Sequence, residues 1–225
     1  MPDKKTGPPK KTKGDTAHAA ARAVVGAIPF AGASAIELLN AVITPPLERR
    51  RQAWMIDISE RLEKLESNGV DVAALQQNEE FISTLLYASH LAIRNHHEEK
   101  LEALRNAVIN TACNQAPEAA LQHMFLNFVD SLTALHLQIL KFLQAPVASG
   151  GISMGGLSTL IEAEFTELRG QRSLYDQIGK DLYARGLINV ESFHTTMTGS
   201  GLTQKRTTGM GDSFLRFIGE SEFEQ

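Results

Sequence analysis

Seven histidines and one cysteine are the side chains of this sequence best suited to metal or nucleophilic chemistry. His90, Arg94 and His97 fall on one helical stretch, with His96, Glu98 and Glu99 beside them. Zinc sites on helices pair histidines at i and i+4 with a carboxylate, whereas His90 and His97 lie seven apart and no HExxH pattern occurs. RNHHEEKLEALRN therefore reads as a solvated, charge-laced face, and no metal is expected. His123 and His136 stand among apolar residues, as satisfied core or boundary groups, and His194 sits beside threonines. Cys113 has no activating motif around it and reads as a small buried hydrophobe. SGGISMGG has glycines but lacks the GK[ST] ending of a phosphate loop, and no GxSxG, kinase or dinucleotide signature is present. The sequence names no catalytic residue, no cofactor and no small-molecule substrate, so the expectation is a protein that is not an enzyme.

A second chemistry, phosphate contact, is open to the cations of the C-terminal region. Thr133 begins the helix TALHLQILKFLQ and PVASGG is a loop. Ser153 reads as the cap of SMGGLSTLIEAEFTEL, which Gly170 ends. Gln171–Arg185 is a third helix, with Leu174, Ile178 and Leu182 inward and Gly186 as its stop. FHTTMTGSGLTQKRTT reads as a β-hairpin with a glycine tip, and GMGDSFLRFI as a closing helix. This is the order of a winged helix-turn-helix domain. In a DNA-binding version the third helix would present Arg172, Lys180 and Arg185, and the wing Lys205 and Arg206. Asp176 and Asp181 oppose phosphate on the same helix. Residues 133–218 hold eight bases and seven acids, far from a basic footprint.

The element that dominates the chain is its most apolar one, AHAAARAVVGAIPFAGASAIELLNAVITPP. It has the length of a membrane span, but Pro29 and Glu37 stand against a simple crossing. Two short helices are expected, about Thr16–Ile28 and Ala33–Ile43, joined by a bend at PFAGAS. Ala19, Ala23, Ala27, Ala31 and Ala35 recur every fourth residue, a spacing that lets another backbone approach closely. Ile28, Phe30, Leu38 and Leu39 add the apolar contact area, and Arg49, Arg50 and Arg51 follow at the junction with the next helix. The hairpin either packs on its own domain or a partner subunit, or engages a membrane.

Charge sharpens this picture. The net charge is −4, yet residues 1–51 carry nine Lys/Arg against four acids and residues 52–132 carry five against twelve. The basic N-terminal part suits an anionic surface and the middle does not. With 43% apolar and 21% charged residues the chain is globular in composition, and one cysteine suits a reducing compartment. Residues 1–15, Lys/Pro/Gly-rich, read as a disordered tail, followed by the apolar hairpin over 16–46. A helical bundle over 47–131 begins after Pro45-Pro46 with the stripe Leu47, Trp54, Ile58, Leu62 and Leu65, stopped at Asn68-Gly69. Asp71 caps a short helix, a long helical region runs from about Asn78 to Thr111, and another covers Glu118–Val129. The winged region spans 132–218 and the last residues, 219–225, should fray.

The AIPFAG hairpin, the helical EEKLEALRNAVIN and MFLNFVDSLTALHLQIL leading into the winged region resemble small bacterial abortive-infection proteins of the Abi-alpha-like group. The resemblance covers about half the chain and carries no catalytic motif. It implies a cytoplasmic bacterial protein, peripheral to or inserted in the inner membrane, acting in phage defence on the membrane or through partners. The expectation is thus a mainly α protein, a bundle followed by a winged helix-turn-helix with a small β-hairpin. Its function would be that of a non-enzymatic effector binding a membrane, a partner or a second copy through the hairpin. The rival is a DNA-binding regulator.

Overall fold

A computed structural model describes residues 35–147 and 154–221 of the chain. These residues are mainly helical, with one two-stranded sheet. The chain falls into two compact units, Met1–Arg49 and Arg50–Gln225. The expected helix Thr16–Ile28 and the bend at PFAGAS lie outside the described residues.

The first described helix corrects the reading of Pro45-Pro46 as a helix entry. Helix α1, Ala35–Ser67, passes through both prolines without stopping. Each proline lacks the N–H that would bond four residues back, and an interior proline costs about 3 kcal/mol or more. Asn68-Gly69 does end the helix, with Gly69 at φ +91°.

Within the second unit the local signals act as their chemistry dictates. Asp71 accepts from the Ala74 amide and caps a 3-10 turn, Val72–Gln77. Asn78 accepts from the Phe81 amide and starts helix α2, Glu79–Arg94. The long helix expected to Thr111 is two. It breaks at Asn95, whose amide donates to the Leu91 carbonyl at 2.9 Å and so replaces a helical bond, and it resumes as α3, Glu98–Ala112. Asn114, in the left-handed region at φ 56°, turns the chain into α4, Ala119–Ser131. Thr133 and His136 form a reciprocal cap at the start of α5, Ala134–Gln144.

The C-terminal region departs further from expectation. Helix α6 spans Leu157–Glu164, not the whole run from Met154. Met154–Gly155 is instead strand β1, paired antiparallel with β2, Met197–Thr198. Gly156 permits this, because a Cβ there would meet the Phe193 carbonyl oxygen at 2.8 Å. A 3-10 turn, Thr166–Leu168, precedes α7, Arg172–Ala184, which stops at Gly186 as its φ of +69° requires. The expected glycine-tipped hairpin is not built. The Thr198 hydroxyl accepts from the Gly201 amide and winds Gly199–Leu202 into a helical turn, α8. Only a short antiparallel contact, Ile188 opposite Thr207, joins the two ends of that segment. Helix α9, Gly209–Ile218, closes the unit.

One core runs from Trp54 to Ile218. At its centre Phe125 of α4 packs on Phe214 and Phe217 of α9, with ring centroids 5.3 and 6.0 Å apart. Asn110 of α3 locks the end of α9: its amide donates to the carbonyls of Arg216, Phe217 and Gly219 at 2.9–3.1 Å. Asn106, one turn earlier, donates to Ile218.

Candidate functional site

Three places gather side chains that could act on something outside the protein. The first is the N-terminal half of α1. Ile36 and Val42 are 70% and 71% exposed, and Leu39, Ile43 and Leu47 are exposed as well. Arg49, Arg50 and Arg51 follow, all exposed. The Arg49 Nε donates to the Pro45 carbonyl and Arg50 reaches the Ile93 carbonyl at 3.4 Å. Further along α1 the apolar stripe is covered: Trp54, Ile58 and Leu65 are buried, and the Trp54 indole donates to the Ser89 hydroxyl at 2.8 Å.

Of the expected apolar site, Ala23, Ala27, Ile28, Phe30 and Ala31 lie outside the described residues. Ala35 and Leu38 fall in α1, and only Leu39 has a described, exposed side chain. Ile36, Val42 and Ile43 lie within the expected apolar hairpin without being among its expected contact residues, and Leu47, expected on the apolar stripe with Trp54, is exposed instead. No helix among the described residues is long and apolar enough to cross a membrane.

The second place lies beside α7. Arg172 and Lys180, two of the five cations proposed for nucleic acid, line a cavity of about 260 Å³ with Asp176 and the segment 191–194. Phe193 pins that segment, since its ring packs where a Cβ on Gly179 would stand. His194 Nε2 meets the Asp176 carboxylate at 2.6 Å, and Arg172 meets its other oxygen at 3.4 Å. The remaining three cations are engaged by groups of the chain itself, although Lys205 stays exposed. Arg185 donates to the Asp181 carbonyl and stands over the Phe128 ring, and Lys205 pairs with Asp212. Arg206 donates to the Gly201 carbonyl and points at the Met197 sulfur. Burial works to raise the Asp212 pKa, but hydrogen bonds from Lys205, Thr207 and Gln144 outweigh it and the net shift is downward. Lys180 and Arg206 make no ion pair among the described residues, and of the two only Arg206 is held by hydrogen bonds.

The third place is a groove of about 980 Å³ between α3, α5 and the end of α9. Nothing in the sequence pattern marked it, because its residues come from three separate helices.

The histidine-rich stretch behaves partly as read. His90, His96 and His97 are exposed, as a solvated face requires. Lys100 contradicts the solvated face: it is buried, and its ammonium donates to the Asp130 carbonyl at 2.8 Å. His123 is a surface residue stacked on Tyr87, not a core group, whereas His136 is buried as expected. Cys113 is half-buried at the core edge. No family model matches the chain, and neither does any curated protein or solved structure.

Proposed function

We propose that the chain is a non-enzymatic effector that binds a membrane surface through residues 36–47, with Arg49–Arg51 set at the lipid head groups. The observation that carries this reading is the exposure of five large aliphatic side chains within a single short helical segment. Isolated exposed aliphatics are ordinary, but a contiguous set marks a surface that something covers. Adjacent arginines favour an interfacial depth, with apolar side chains in the acyl boundary and guanidinium groups among phosphates. The resemblance to abortive-infection proteins supplies phage defence as the setting in which such binding would act.

The C-terminal region is read here as a relative of winged-helix domains that serves protein contact. Its element order and the Ile188–Thr207 contact support that reading. Internal pairing of its cations weighs against DNA as its target, since contacts to phosphate need them available.

Vesicle flotation of the full chain tests the membrane reading. The wild type should float with vesicles of mixed neutral and anionic lipid in low and high salt, and Leu39→Glu with Val42→Glu should abolish it. Both positions are exposed, so folding is preserved. A double variant that floats like the wild type refutes the assignment, as does a wild type that never floats. Concentration-dependent sedimentation lost in the same variant would identify a second copy as the partner instead.

A further inference from the structure

We infer that the groove between α3, α5 and α9 is a binding site for a small organic anion, a carboxylate, sulfonate or phosphate ester with an apolar body. None of its lining residues belongs to residues 36–51, so the inference stands apart from the membrane reading. Its volume, about 980 Å³, lies at the upper end of ligand clefts. The walls are fixed before any ligand arrives. Asn106 and Asn110 hold the end of α9, and Gln138 of α5 donates to Glu99 of α3 at 3.1 Å. Leu137, Leu215 and Ile218 supply apolar lining.

The charge arrangement selects the ligand class. Lys141 on α5 and Arg216 on α9 line the groove, are exposed, and make no side-chain hydrogen bond or ion pair among the described residues. The acids nearby are differently placed. Glu102 is held by Arg61 and Arg105 at 2.9 and 3.0 Å, and Glu99 accepts from Gln138. Glu220, at the end of the groove, is the remaining acid of the lining. Glu99 and Glu220 balance Lys141 and Arg216 in number, so the groove draws anions weakly from a distance. Selection rests on direct contact, where a guanidinium fork and an ammonium satisfy an anionic head in a way that water-filled apolar walls cannot. Modest salt dependence follows.

Fluorescence titration of the full chain with anilinonaphthalene sulfonate, an apolar ring system carrying one anion, tests the site. Uncharged N-phenylnaphthylamine serves as the control. The sulfonate should bind saturably at one site, about tenfold or more tighter than the neutral probe, the factor of a single charge-assisted contact. Lys141→Gln with Arg216→Gln should remove that preference, while Lys180→Gln on α7 should leave it intact. Circular dichroism of each variant confirms the fold. Absence of saturable binding, equal binding of both probes, or sulfonate binding that survives the double substitution overturns the inference. The last outcome places the probe on another apolar surface.

Discussion

Lys100 and His136 show what burial does to single titratable groups in this protein. Both are under 10% exposed. Burial lowers the Lys100 pKa, Asp130 works against that, and Arg94 adds to it. Burial also lowers the pKa of His136, opposed by Asp181 and reinforced by Arg185 and Lys100. A histidine whose folded-state pKa is depressed takes up its proton more readily when unfolded. Its contribution to stability is therefore whole above about pH 6.5, the unfolded value, and is lost as the pH falls below it. Urea midpoints measured from pH 7.5 down to 5.5 should decline, and His136→Gln, which cannot titrate, should flatten the decline. Equal slopes for the two proteins would remove His136 as its source. Nothing in TALHLQIL announces this behaviour; the apolar neighbours foretold burial, but Asp181 arrives from another helix.

At the scale of elements, α9 is held by long-range contacts at both ends. Asn110→Ala would strand the Phe217 and Gly219 carbonyls at its C-terminal end, while the Arg216 carbonyl keeps the Gly219 amide, and the loss should be roughly 2–3 kcal/mol in urea denaturation. At its other end Gly211 admits no side chain, since a Cβ would lie 2.1 Å from the Leu187 carbonyl oxygen. Gly211→Ala should cost about 2–4 kcal/mol, read as an early unfolding midpoint. A stability within 0.5 kcal/mol of wild type for either variant would mean that α9 is held in some other way. These elements divide by how far their cause lies along the chain. Asp71, Asn78, Thr133, Gly69 and Gly186 act on residues within one turn, and the helix ends they set were legible in sequence. Pairing of Met154 with Thr198 is decided by Gly156 against Phe193, and no local pattern encodes that. The Thr-Gly-Ser-Gly run illustrates a competition: glycines favour a turn, yet a threonine hydroxyl placed three residues ahead of an amide started a helix. Asn106 looks solvated at the end of a charged stretch and Asn110 stands among apolar residues with no local partner, and their clamp on α9 spans more than a hundred residues. The groove of the candidate anion site was hidden for the same reason.

For the molecule as a whole, charge and apolar exposure point to the same end of the chain. Residues 1–51 carry a surplus of five positive charges, while the chain overall is at −4. A bilayer carrying anionic lipid would therefore attract that end and repel the acidic middle, orienting the protein before any side chain inserts. The two forces separate by their response to salt. Burial of aliphatic side chains is indifferent to ionic strength, but head-group attraction, about 1 kcal/mol for each Lys or Arg near the surface, fades once the screening length falls below the contact distance. Replacing Arg49, Arg50 and Arg51 by Gln should thus weaken binding to anionic vesicles by about 3 kcal/mol in low salt, a factor of roughly 100. In high salt, and on vesicles of neutral lipid, the same variant should match the wild type, because Ile36, Leu39 and Val42 are untouched. Since Arg50 touches the Ile93 carbonyl, thermal unfolding of the variant needs checking alongside. Sedimentation with vesicles of both kinds at two salt concentrations decides the matter. Equal weakening under all conditions would show that the arginines shape α1 and not the encounter with lipid, and the driving force would then be sought in the aliphatic segment alone.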